Sequence, residues 1–87
     1  MATVADLISK GLLKAGENLV WYRRSLNQTY GARVQADGTI VTEDGKIHKT
    51  PSGAAKHFSK KPIDGWNTWK VASTKASLAD LRSQLPE

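Results

Sequence analysis

The stretch Gln28–Thr42, QTYGARVQADGTIVT, decides the fold. In its first part Tyr30, Ala32, Val34 and Ala36 alternate with Gly31, Arg33 and Gln35, the period of two that a half-buried strand requires. Asp37-Gly38 then interrupts the run. An Asp-Gly pair between two strand-like segments is a strong hairpin signal, because a two-residue loop asks for positive φ at both positions. Thr39–Thr42 is the return strand. The stretch predicts an antiparallel hairpin, with Gln28–Ala36 as its first strand and one apolar face.

The same reading extends in both directions. Upstream, Asn18–Arg24 is rich in β-branched and aromatic residues and predicts another strand. Downstream, Asp44-Gly45 makes a second tight turn into Lys46–Lys49. Four strands then form a meander. Before them, Thr3 caps a short helix with Asp6 at its third position, and Val4, Leu7 and Ile8 share one face. Gly11 sits where a left-handed C-terminal cap is expected, and Leu12 and Leu13 fold back onto the core.

After the meander, Thr50-Pro51 starts a second helix, whose Ala54, Ala55 and Phe58 let it lie close to the sheet. Pro62 prevents its continuation. Asp64-Gly65 turns the chain into Trp66–Val71, read as a last strand. Leu78, Leu81 and Leu85 mark a C-terminal amphipathic helix capped by Ser77 with Asp80. The fold class is therefore α+β: a short N-terminal helix, an antiparallel meander of about four strands, a central helix packed on the sheet, a further strand and a C-terminal helix.

Composition sets the outer limits. A chain of 87 residues holds one domain and one core. Three Trp and two Tyr supply the large apolar areas that so short a chain needs. There is no cysteine, which removes disulfides, thiolate chemistry and cysteine-based zinc sites. No apolar run reaches membrane-spanning length, and the N-terminus lacks a signal-peptide pattern, so cytoplasmic residence is the expectation.

Catalytic and cofactor patterns are also missing. No serine lies in a Gly-x-Ser-x-Gly frame, and the glycines match neither a phosphate-binding loop nor a dinucleotide fingerprint. His48 and His57 stand nine positions apart without an acidic neighbour or third ligand at a known spacing. The expectation is no catalytic residue, no metal and no cofactor.

Charge carries the functional signal. The net charge is +5. From Asn18 to Ala36 the chain holds Arg23, Arg24 and Arg33 and no acid. From Lys46 to Ile63 it holds Lys46, Lys49, Lys56, Lys60 and Lys61, with both histidines, and again no acid. Such clustering is the electrostatic footprint of a polyanion-binding surface, and equally of a solvated basic face. Arg23, Arg24, Arg33, Lys49, Ser52, Lys56, Lys60 and Lys61 are the candidate nucleic-acid contacts. Ser52 joins them because the start of the second helix offers free N–H groups and a positive dipole end. Tyr22, Trp66 and Trp69 are the aromatic candidates for a base or modification contact. On a strand Trp66 and Trp69 face opposite sides, so one of them belongs to the core.

Several pieces taken together look like one family. They are Asp6-Leu7-Ile8 with Gly11-Leu12-Leu13 and Gly16, then Tyr22-Arg23-Arg24, then Tyr30, Ala32 and Val34 with Asp37-Gly38 and Ile40. Pro51-Ser52 with Ala54-Ala55, and Gly65-Trp66 with Trp69 and Val71, complete the series. Their order and spacing resemble the RAMA domain, the restriction enzyme adenine methylase associated module. The resemblance covers residues 4–71 of a single domain spanning 1–87, and leaves 72–87 as a C-terminal helical extension. It implies an α+β accessory domain found beside DNA methyltransferases and restriction endonucleases and proposed to engage DNA, including modified DNA.

The expected function is a non-catalytic module that binds duplex DNA, a reader or targeting domain with a methyltransferase or endonuclease as its partner. The alternative is a protein-interaction adapter that docks through the sheet face or the Leu78/Leu81/Leu85 stripe. RNA is a third possibility, without an aromatic RNA-recognition motif to support it.

Overall fold

The longest ladder joins β1 (Asn18–Arg23) to β2 (Gln28–Val34), in a computed structural model that describes residues 2–86. β3 (Ile40–Thr42) and β4 (Ile47–His48) continue the sheet beyond β2, and β5 (Lys70–Val71) flanks β1. The strand order is β4-β3-β2-β1-β5, antiparallel at every pairing. The last strand thus completes the sheet that the meander begins.

Both short turns are built differently from a two-residue loop. Gly38 N–H donates to the Gln35 carbonyl, while Gln35 N–H donates to the Thr39 carbonyl. Gly45 N–H donates to Thr42, and Thr42 N–H to Lys46, in the same pattern. Only the glycines take positive φ, 87° at Gly38 and 85° at Gly45. These are longer loops, each with a single left-handed glycine, and Asp37 keeps an ordinary backbone. The first loop therefore ends β2 at Val34 and leaves Ala36 exposed, short of the expected Gln28–Ala36. Asp37 serves as an acceptor, taking the N–H of Thr39 at 2.9 Å.

The helices start where their caps lie. Thr3 and Asp6 form a reciprocal capping box on α1 (Val4–Ser9). Thr50 Oγ1 accepts the Gly53 N–H on α2 (Pro51–Ser59), with Pro51 in its first turn. Ser77 and Asp80 form a second capping box on α4 (Leu78–Arg82). Gly11 takes φ +74° just past α1.

The expected strand over Trp66–Val71 is a correction: its first part is α3, a single turn at Gly65–Thr68, and only Lys70–Val71 joins the sheet. Asp64 causes the difference. Its carboxylate accepts the Trp66 N–H at 3.0 Å, and its carbonyl accepts the Thr68 hydroxyl at 2.7 Å. This local cap outweighs the β-preference of Trp and Thr. Likewise β1 stops at Arg23, because Arg24–Leu26 close a 3-10 turn that ends on left-handed Asn27.

The helices cover one face of the sheet. Leu7, Leu19, Val34, Ile40, Trp69 and Leu78 are fully buried between the layers. Four rings close a circuit there. Trp21 lies 5.1 Å from Tyr30, Tyr30 stacks on Phe58 at 4.3 Å, Phe58 meets Trp69 at 6.3 Å, and Trp69 returns to Trp21 at 6.0 Å. Trp69 also donates its indole N–H to the Pro51 carbonyl at 3.1 Å. A β-carbon on Gly65 would sit 2.1 Å from that same carbonyl group, so only glycine lets α3 reach the start of α2.

Three outcomes follow for stability. Gly65→Ala drives a methyl group into backbone and is expected to cost about 3 kcal/mol, an overpacking penalty without room to relax. Gly11→Ala, at positive φ but in open space, should cost about 1 kcal/mol. Trp69→Phe removes the buried donor to Pro51 and should cost about 2 kcal/mol. Urea midpoints of the three variants measure all of these.

Candidate nucleic-acid interface

A strand pair and a helix end bring part of the basic sequence together. β1 and β2 reverse direction through Arg24–Asn27, and β3 and β4 reverse through Glu43–Gly45 at the same end of the sheet. α2 runs toward that end, because His57 meets Asp44 of the second reversal and Phe58 stacks on Tyr30 beside the first. Lys60 and Lys61 follow directly, with Lys60 in the left-handed cap that closes the helix. Arg23, Arg24, Lys46, Lys60 and Lys61 are thus gathered at one end of the sheet. Lys56 lies one turn earlier on the exposed side of α2.

These cations lack carboxylate partners. Among the described residues the single ion pair is His57–Asp44, and no Lys or Arg lies within 4.0 Å of an acidic oxygen. Arg23 is half-buried, with its guanidinium 5.7 Å from the Trp21 ring centre. Arg24 is exposed in the 3-10 turn. Lys46 joins these cations only because the β3–β4 turn lies against α2, a neighbour distant in sequence.

Two candidates lie elsewhere. Arg33 stands on the uncovered sheet face, opposite Val41 on β3 and Asn18 on β1. That face holds a shallow groove where Gly31 supplies no side chain between Val20 and Glu43. Glu43 spans the gap: its carboxylate accepts the Gly31 N–H at 3.1 Å and its own N–H donates to the Gly31 carbonyl at 3.0 Å. Lys49 is at the opposite end of the sheet, near Thr3 and Asp37.

The start of α2 is occupied by the protein itself. Ser52 Oγ accepts the Gly65 N–H at 3.1 Å, Thr50 Oγ1 accepts the Gly53 N–H at 3.0 Å, and Pro51 is buried. Ser52 is therefore a structural link to α3, and the open, anion-ready helix start expected from the sequence is closed.

The aromatic candidates separate sharply. Trp69 is fully buried and committed to Pro51. Trp66 is half-buried under Arg82, whose guanidinium stands 4.4 Å from the ring centre and ties α4 to α3. Tyr22 is 56% exposed on the face opposite Trp21, and its hydroxyl donates to Asn27 Oδ1 at 2.8 Å. Tyr22 is the one aromatic candidate that presents its ring beside the basic end. The C-terminal leucines are likewise engaged: Leu78 is fully buried, and Leu81 and Leu85 are partly buried against the core. The expected helix is shorter than the stripe, since α4 ends at Arg82 and Leu85 lies beyond it.

The histidines correct another expectation, since the fold does supply an acidic neighbour. Asp44 Oδ2 lies 2.6 Å from His57 Nε2, and the His48 and His57 rings are 4.9 Å apart. The Thr42 hydroxyl donates to Asp44 Oδ1 at 2.6 Å. That bond, and then the one from His57, pull the Asp44 carboxyl down to about 2. Burial pushes the His48 imidazole below its ordinary value, the nearby His57 pushes the same way, and Asp44 opposes them. Among the described residues no group of three or more acidic or histidine side chains is placed to hold a metal ion, and no helix is long and apolar enough to cross a membrane.

No curated protein matches the chain significantly. A family does match, the one described as Restriction Enzyme Adenine Methylase Associated, or RAMA, and it matches over residues 1–87. The match includes the C-terminal segment beyond the motif series at 4–71, where α4 completes the core with Leu78. The chain belongs to the RAMA domain family, which is associated with restriction enzymes and adenine methylases.

Proposed function

We propose that this chain is a non-catalytic module that binds duplex DNA and serves a methyltransferase or endonuclease as a reader or targeting domain. The observation that supports it best is the set of unpaired cations at one end of the sheet. A basic cluster neutralised by its own carboxylates would have little left for a phosphate backbone, whereas Arg23, Arg24, Lys46, Lys60 and Lys61 keep their full charge for one. The family's association with restriction and adenine methylation makes DNA the fitting polyanion. Tyr22, exposed beside the same end, is the group suited to stack on a base or touch a methyl group.

A protein-interaction adapter is the second reading. The uncovered sheet face favours it, because Val20 and Val41 are incompletely buried there and Ile47 is 65% exposed. Such docking would use β1, β3 and β4 and not the leucines of α4.

Fluorescence anisotropy with a labelled duplex at about 50 and 200 mM salt tests the first reading. Five phosphate contacts predict a log–log salt slope of about −4.5, hence an affinity loss of about 500-fold across that range. Lys60→Gln with Lys61→Gln should flatten the slope to about −2.7, and Lys49→Gln at the far end should leave it unchanged. A duplex carrying N6-methyladenine, compared with its unmodified form, tests reading of the modification, and Tyr22→Ala should abolish any difference. Absence of binding at the lower salt overturns the proposal and leaves the adapter.

A further inference from the structure

The corner where α2 meets the β3–β4 turn holds two imidazoles and a single carboxylate. Asp44 Oδ2 is taken by His57 Nε2 at 2.6 Å, and Oδ1 is taken by the Thr42 hydroxyl at 2.6 Å. His48, 4.9 Å from His57 ring to ring, has no carboxylate of its own. Among the described residues its Nε2 has one hydrogen-bonding neighbour, the Thr42 oxygen at 3.4 Å. Thr42 is 1% exposed, and its one hydroxyl proton has Asp44 Oδ1 at 2.6 Å and the Lys46 carbonyl at 3.1 Å as acceptors. The charged groups facing His48 are therefore His57 on α2 and Asp44 on the turn. Lys46 and Lys49, on its own segment, are exposed.

From this arrangement we propose that the His48–His57–Asp44 corner is an acid-released latch between α2 and the β3–β4 turn. When acid places a proton on both rings, two cations stand side by side against one anion. The contact relaxes by separating α2 from the turn. The second half of α2, which leads into Lys60 and Lys61, is the part released.

The sign follows from His48. Its folded-state affinity for a proton is lowered by burial and by His57, so the unfolded chain takes that proton first as pH falls. The contribution is fully present above about pH 6.5 and declines below it, by up to tenfold in the folding equilibrium per pH unit until folded His48 itself titrates. Asp44 stays ionised throughout this window, since its carboxyl is held down to about 2. The latch goes beyond DNA binding and is tested without DNA, so either idea can fail alone.

The test is urea unfolding of the full chain at pH 7, 6 and 5, with amide hydrogen exchange at Phe58 and Ser59 over the same range. The wild-type folding equilibrium is expected to fall more between pH 7 and 5 than that of His48→Gln, within the limit of about tenfold per pH unit that one proton sets. His57→Gln, which removes the second charge but not the burial of His48, should flatten the profile in part. Protection at Phe58 and Ser59 should fall with pH, after correction for intrinsic exchange, more steeply than at Leu19 in β1. Parallel pH profiles for the wild type and both variants would overturn the latch, as would equal loss of protection at Phe58 and Leu19.

Discussion

The indole N–H of Trp69, bonded to the carbonyl of Pro51, fixes where the central helix begins. Gly65 makes the bond reachable by letting α3 press against Pro51 and Ser52. From that anchor α2 crosses the sheet with Ala54 and Ala55 fully buried, and it delivers Phe58 onto Tyr30. The ring circuit of Trp21, Tyr30, Phe58 and Trp69 then locks helix to sheet at both its ends. The position of Lys60 and Lys61 at the same end of the sheet as Arg23 and Arg24 is a consequence of this anchor.

Local chemistry made much of the fold legible. Thr3 with Asp6, Thr50 with Pro51, and Ser77 with Asp80 each act within four residues, so a cap read in the sequence is a cap in the structure. Asp64 acts over the same range, yet Trp66–Val71 reads as a strand because its aromatic and β-branched residues hide the cap. The candidate site was less legible. Asp44 and His57 are 13 residues apart, and only the crossing of α2 over the turn makes them neighbours. Leu78, Leu81 and Leu85 spell an apolar stripe, but a stripe states that a helix has a partner without saying that the partner is its own core.

The two faces of the sheet have different duties. The covered face carries the rings and aliphatic core, while the other carries Tyr22, Arg33, Val41 and Ile47 with no helix above them. Glu43 works on this second face as a substitute for backbone, closing a ladder bond to Gly31 where the turn has pulled the strand away. Glu43 and Asp44, adjacent in sequence, therefore hold the turn from two sides: one to β2 and the other to α2. The acidic pair that separates the two basic stretches is structural in both members.

The sheet also ends abruptly on each side. Its outermost strands, β4 and β5, are two residues long. Unpaired N–H and C=O groups along a long flat border invite another chain to add itself, the route to fibrils and tangled oligomers. Here the border is too short for a foreign strand to gain a cooperative grip, and Lys70 sets a charge on one of them. So small a core is thus bordered by short strands at both edges of a sheet whose second face carries no covering helix.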